Sequence, residues 1–192
     1  MCIRDSTSWQ YDQNGIVCTV LHEHPHRGIA HERFFPSGPF AILPMIGNRS
    51  SLVWTERADM TPAIMNLDDK SFVEEIQRRF GGFLGTLNVI GKRWQYPLAL
   101  HYAERYVDQR LVLVGDAAHT IHPLAGLGAN LGFADAAALA EVITNACLAR
   151  KDIGIRPLLR RYERWRRGEN TVTAKTIDAF YHTFGTNRPG IQ

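Results

Sequence analysis

Short β-branched and alternating runs fill the first third of the chain, and helical periodicity takes over in the last third. Ile16 to His22 predicts a strand that follows a turn at Asn14-Gly15. His31 to Phe35, Phe40 to Met45 and Ser50 to Glu56 predict three more, separated by Pro36-Ser37-Gly38-Pro39 and Gly47-Asn48. Strands at this spacing predict an antiparallel meander. Between Leu67 and Gly85 the period changes. Phe72, Ile76 and Phe80 fall on one helical face, Asp68 or Asp69 can cap its start, and Gly81-Gly82 ends it. Val89 to Tyr96 predicts a further strand, closed by Pro97.

The densest signal lies further on. Leu111 to Val114 is a continuous apolar run that predicts a buried strand, stopping at Gly115-Asp116. A loop rich in glycine follows, then helical periodicity from Leu131 to Leu148. At such a strand–loop–helix junction the first helical N–H groups lack partners within the helix, and the helix dipole adds partial positive charge. Gly126, Gly128 and Gly132 let a flat ligand approach the backbone, and Asp116 can accept hydrogen bonds from sugar-type hydroxyls. After Gly154, Pro157 opens another helix. Its expected apolar stripe runs through Leu158, Leu159, Tyr162, Trp165, Val172, Ile177, Phe180 and Phe184, with Arg160, Arg161, Arg164, Arg166 and Arg167 around the early part.

Gly115-Asp116-Ala117-Ala118-His119, then His122-Pro123 and Gly126-x-Gly128-x-Asn130-Leu131-Gly132, resembles the second flavin motif of the FAD-dependent aromatic hydroxylases, closest to their ubiquinone-biosynthesis branch. Tyr11-x-Gln13, His22-Glu23-x-Pro25-His26-x-Gly28-x-Ala30, Glu32-Arg33-Phe34-x-Pro36-x-Gly38-Pro39 and Leu43-Pro44 resemble that branch's substrate-domain strands. Tyr96-Pro97-Leu98 and Tyr106-Val107-x-x-Arg110 resemble its lead into the motif. The family's Gly-x-Gly-x-x-Gly turn and mid-chain Asp-Gly motif have no counterpart, so the chain resembles the C-terminal part of such a hydroxylase.

The resemblance implies an α+β fold: a mostly antiparallel substrate-domain sheet over 8–105, then the strand and long helices of the C-terminal part of a Rossmann-like FAD-binding domain over 106–192. Residues 1–7 match nothing in the family and form an unassigned leader, consistent with a non-native remnant. It further implies that Gly115, Asp116, Pro123, Gly126, Gly128, Ala129 and Asn130 bind FAD. Asp116 would hold the ribityl hydroxyls, the amides of Ala129 and Asn130 the N1–C2 edge of the ring, and Pro123 would sit where oxygen is activated. The implied reaction uses NAD(P)H as co-substrate and O2, through a C4a-hydroperoxyflavin, to hydroxylate a polyprenylated phenol. Phe34, Phe40 and Trp54, with Phe35, would line the apolar substrate chamber. His119 would be a structural histidine of the motif. Two rival readings stand beside this one: an inactive truncated fragment or binding remnant without flavin, and another flavin-dependent oxidoreductase on the same scaffold, such as a halogenase.

Composition narrows the classes. A net charge of +3 with interspersed signs argues against a nucleic-acid partner. Cys2, Cys18 and Cys147 lie far apart and suggest neither a disulfide framework nor a zinc site, and a reducing compartment fits them best. His22, His24 and His26 alternate, but nothing completes a metal set around them. No apolar run approaches the roughly 18 to 20 residues that span a bilayer. The arginine-rich helix fits an anionic membrane surface, or a biosynthetic complex, near a lipid-tailed aromatic substrate. The expected location is cytoplasmic, peripheral at the inner face of the membrane.

Overall fold

The computed structural model describes residues 6–184, apart from the side chains of Ala125, His182 and Phe184. Its elements are β1 (Ser6–His22), β2 (His31–Phe35), β3 (Gly38–Pro44), β4 (Arg49–Arg57), α1 (Thr61–Met65), α2 (Asp69–Phe80), β5 (Leu87–Ala103), β6 (Val107–Asp108), β7 (Leu111–Val112), β8 (His119–Thr120), α3 (Gly128–Leu148) and α4 (Arg156–Phe184). The main sheet has the strand order β2-β3-β4-β1-β5-β8, and the fold is α+β as expected. The chain forms two compact units, and β1 and β5 run through both.

The unit of Tyr11–Leu98 is the meander with α2. β1, β3 and β4 pair antiparallel, with Ile16 opposite Trp54 and Phe40 opposite Trp54 on the next strand. One face of this sheet carries Ile16, Cys18, Val20, Phe40, Ile42, Leu52 and Trp54, all at most 3% exposed, and Phe72, Ile76 and Phe80 of α2 close over it. The predicted caps hold α2 at both ends. Asp68 accepts a hydrogen bond from the Ser71 amide at 2.7 Å, and Gly81 leaves the helix at φ 92°. Arg33 reaches the Arg79 carbonyl at 3.0 Å and ties β2 to the last turn of α2.

Ala99–Tyr181, with the opening residues of β1, forms the other unit. Ala138, Val142 and Ala146 of α3 pack with Leu158, Leu159 and Tyr162 of α4, and with Ala103, Tyr106 and Val107. Ile121 and Leu124 pack on Ala174 and Ile177. The Tyr162 hydroxyl donates to the Leu113 carbonyl at 2.9 Å, so α4 grips the chain just before the glycine-rich turn.

Five expectations need correction. Asn14-Gly15 is no turn: β1 passes straight through it, with Asn14 opposite Glu56 and Gly15 opposite Thr55, and a Cβ on Gly15 would touch Leu98 at 3.4 Å. Pro97 does not close its strand. β8 pairs with β5 only at His101 and Tyr102, so among the described residues that edge is open at Pro97 and a missing N–H breaks no ladder there. Leu111 to Val114 is not a buried strand; only Leu111–Val112 pairs, in a short antiparallel hairpin with β6, and Leu111 is exposed. The stripe of α4 is buried as expected at Leu158, Leu159, Tyr162 and Ile177, but between them it runs through Arg166, Asn170 and Ala174, leaving Trp165, Val172 and Phe180 exposed, while the Phe184 side chain lies outside the described residues. Two polar residues occupy positions that an apolar count passes over. Finally, α3 is long and apolar enough, by length and composition, to cross a membrane. Counting unbroken apolar runs missed it because Asp135, Glu141 and Asn145 interrupt the run, and here one side of it packs on α4.

The α2 contact is a clean place to test this packing. Phe72→Ala should cost about 3–5 kcal/mol, while Glu74→Ala, on the exposed side, should stay within about 0.5 kcal/mol. Urea unfolding followed by the fluorescence of Trp54, whose ring lies 5.7 Å from that of Phe72, reads both; equal effects would contradict the packing.

Candidate functional site

The candidate site begins where β7 gives out. Gly115 takes φ 58°, a left-handed conformation that a side chain would strain, and starts a 3-10 turn over Gly115–Ala117, with the Ala118 amide donating to the Gly115 carbonyl at 2.8 Å. The turn lies close against α3: a Cβ on Gly115 would stand 3.6 Å from the Cα of Gly132. Asp116 sits on the outside of this turn. Its carboxylate is exposed and makes no hydrogen bond or ion pair among the described residues.

Ala118 and His119, immediately after it, are buried. The His119 ring donates from Nε2 to Asp135 Oδ2 at 2.6 Å, and the Gly115 amide donates to the same oxygen at 3.0 Å. The other oxygen, Oδ1, accepts from Arg166 Nε at 2.7 Å and Asn170 Nδ2 at 3.1 Å. Arg166 also reaches Asn170 Oδ1 and Glu169. Burial pushes the Asp135 carboxyl up, but these four donors together outweigh it and hold it below the usual carboxylate range. It is a charge with no exposure, fully paired.

The next loop turns one residue outward. Ile121, His122 and Leu124 are buried and Pro123 between them is exposed. His122 caps the 3-10 turn Pro123–Ala125, its Nδ1 accepting from the Leu124 amide at 3.2 Å, and its ring lies 5.2 Å from that of Tyr181. Burial lowers its pKa from 6.5 to about 4, so it is neutral at pH 7. Gly126 then takes φ 60°, and a Cβ placed on it or on Gly128 would meet nothing within 4 Å. α3 starts with no side-chain cap and no acidic residue in its first turn, and Ala129 and Asn130 are exposed. The amides of this turn therefore remain available to an electron-rich group from outside.

All seven residues expected to bind the cofactor thus lie in one unit, on the turn, the loop and the helix start. Three of the four expected chamber aromatics do not share a surface. Phe40 and Trp54 come together at 5.5 Å between ring centroids, but at 0% and 1% exposed they are closed into the core under α2, whereas Phe34 is 42% exposed. Neighbouring positions on a strand point to opposite faces, and Phe40 pairs with Arg33, not Phe34. The histidines of the β1 exit bind protein atoms: His22 meets the His24 carbonyl at 2.8 Å and Ser50 Oγ at 3.0 Å, and His26 the Met45 carbonyl at 2.8 Å. Sequence reasoning missed Asp135 and Asn170 and placed Arg166 on the surface. A lone carboxylate inside the apolar run Gly132-Phe-Ala-Asp135-Ala-Ala was the available signal.

Comparison with known proteins settles the family. Residues 4–173 match the FAD binding domain family. The chain belongs to that family. It is 50% identical over 177 residues to the ubiquinone hydroxylase UbiL of Rhodospirillum rubrum, covering 92% of this chain and 41% of that protein. It is 36% identical over 185 residues to the 3-demethoxyubiquinol 3-hydroxylase of Escherichia coli, covering 96% and 47%. The chain therefore spans less than half the length of these relatives. Among solved structures, the myxobacterial chondrochloren halogenase CndH superposes with a TM-score of 0.75 at 18% identity, covering 92% of this chain and 42% of that one, a likeness of fold. FAD is the family's cofactor, and the residues present fit it: a carboxylate with no partner among the described residues, a helix start without a side-chain cap and open space over two glycines.

The buried His122 gives the site a pH signature. The unfolded chain takes up a proton near pH 6.5, the folded chain only near pH 4. Stability is complete above 6.5 and falls as pH drops through that window, by up to about 3 kcal/mol. Thermal midpoints measured from pH 7 to pH 4.5 should decline, and less steeply in His122→Gln; identical slopes would exclude His122 as the source.

Proposed function

We propose that this chain forms the ring-and-ribityl side of the FAD site in an NAD(P)H- and O2-dependent monooxygenase that hydroxylates an aromatic ring, a polyprenylated phenol of ubiquinone biosynthesis. The observation that carries it is the exposed, unpartnered Asp116 on a turn packed against the open start of α3. Two relatives at 50% and 36% identity bear names of ubiquinone hydroxylases, which favours hydroxylation over halogenation; the halogenase likeness, at 18% identity, supports the fold alone.

Reduced by a nicotinamide nucleotide, FAD supplies the activation of dioxygen, one atom going to the substrate ring and the other to water. The chain's own residues orient and polarise. Asp116 accepts hydrogen bonds from the ribityl hydroxyls. The Ala129 and Asn130 amides, fixed at a helix start, stabilise negative charge at the ring's N1–C2 edge without having to reorganise. Pro123 presents a rigid surface with no N–H to the cofactor side, and His122 behind it stays uncharged at pH 7. A cytoplasmic protein docked peripherally at the inner face of the membrane, or in a biosynthetic complex, fits a lipid-tailed substrate. The exposed Arg160, Arg161 and Arg164 beside exposed Trp165 support this reading.

Two measurements test it. FAD titrated into the purified chain should lose fluorescence, and Asp116→Ala should weaken binding about tenfold, or about 1.4 kcal/mol. Unquenched FAD would support the reading of a fragment that does not bind flavin. The chain should also sediment with anionic phospholipid vesicles at low salt, less so when Arg160, Arg161 and Arg164 are replaced by Gln. Equal sedimentation with neutral vesicles would remove the electrostatic docking.

A further inference from the structure

Asp116 is held by what lies behind it. The segment from Gly115 to His119 is fastened at both ends to a single carboxylate: the Gly115 amide and the His119 ring converge on Asp135 Oδ2 at 3.0 and 2.6 Å. Between these anchors the Ala118 amide bonds the Gly115 carbonyl and Ala118 is fully buried, so Asp116 and Ala117 are the part of the turn that faces out. The other Asp135 oxygen is held by Arg166 and Asn170, one helical turn apart on α4. Three elements thus meet at one side chain that never touches solvent.

We propose that Asp135 is the positioning residue of the cofactor turn, and that through it Arg166 and Asn170 of α4 set how firmly FAD is held. The proposal rests on the cofactor reading above, and it assigns Asp135 no contact with the cofactor. Removing its charge frees the Gly115 peptide and the His119 ring together, and the Asp116 carboxylate loses its fixed direction. A ligand that needs that carboxylate in one place then has to order the turn on binding.

Amide hydrogen exchange on the chain without FAD, combined with FAD titration, tests this. In Asp135→Asn the amides of Gly115, Ala118 and His119 should exchange about tenfold faster while those of β4 keep their wild-type rates. FAD affinity should fall about tenfold, as far as in Asp116→Ala. Because Asp135→Asn takes from buried Arg166 its buried counterion, leaving only the exposed Glu169, and can unfold the unit, Asn170→Ala is the second variant. It keeps the ion pair, removes one donor, and should shift both readouts in the same direction by a smaller factor. Asp135→Glu, which keeps the charge, should recover part of both. Unchanged exchange at 115–119, or acceleration spread evenly over the whole chain, would overturn the positioning role. So would wild-type FAD affinity in both Asp135→Asn and Asn170→Ala alongside a weakened Asp116→Ala. If the wild-type chain takes up no FAD, the cofactor reading falls, and the exchange data still decide whether Asp135 fixes the turn.

Discussion

The cofactor unit depends on one buried negative charge. An ionised carboxylate removed from water is costly unless its lone pairs are filled and a countercharge is close. Asp135 meets both conditions, with Arg166 as countercharge and a histidine, an asparagine and a backbone amide as further donors. These donors come from the turn after β7 and from α4, while the acceptor belongs to α3, so forming the network commits three separate segments to one arrangement. The apolar contacts between α3 and α4, made largely by alanines on one side, are non-directional and would tolerate sliding; the hydrogen-bonded carboxylate fixes the register.

Much of the other unit could be read from the sequence, because there the physics is local. The α2 caps, its Phe72-Ile76-Phe80 face and the β2–β4 meander all follow from residues within a turn or a hairpin of one another. The errors fall where distant partners decide. Asn14-Gly15 looks like a turn until Glu56 and Thr55 supply a ladder, and Pro97 looks like a stop until the edge beside it is seen to be open. Trp54 and Phe40 were expected at a ligand surface, because an aromatic on an alternating strand faces either side equally well until a helix covers one of them. The turn and loop that carry the expected cofactor residues were legible for a different reason. Glycines at φ 58° and 60° and a carboxylate at a strand exit carry their geometry in their residue types. Asp135, Arg166 and Asn170 carry theirs only in one another.

The site divides into a hydrogen-bonded interior and an open exterior. Behind the chain from Gly115 to Gly128, both Asp135 oxygens are filled by four donors, and His122 is kept neutral while its Nδ1 holds the Leu124 amide. In front, the carboxylate of Asp116 and the first amides of α3 face outward, the carboxylate without a partner among the described residues and the helix without a side-chain cap. Such an arrangement suits a large polar ligand. Its binding groups lose little freedom on association because the interior has already fixed them, and water satisfies them cheaply until the ligand arrives.

The two aspartates of this region show how a ligand carboxylate can be told from a structural one without reference to any relative. A carboxylate offers about four lone-pair sites. Asp135 spends two on each oxygen within the protein, at 2.6 to 3.1 Å, and has no capacity left for a hydroxyl from outside. Asp116, nineteen positions earlier by numbering and on the turn that Asp135 holds, spends none among the described residues. If Asp135 were the cofactor ligand, Arg166 and His119 would have to release it, leaving buried Arg166 only the exposed Glu169 as countercharge. If Asp116 is the ligand, nothing inside has to move. The count of filled lone pairs therefore commits Asp135 to the fold and leaves Asp116 with the capacity that the proposed flavin site requires.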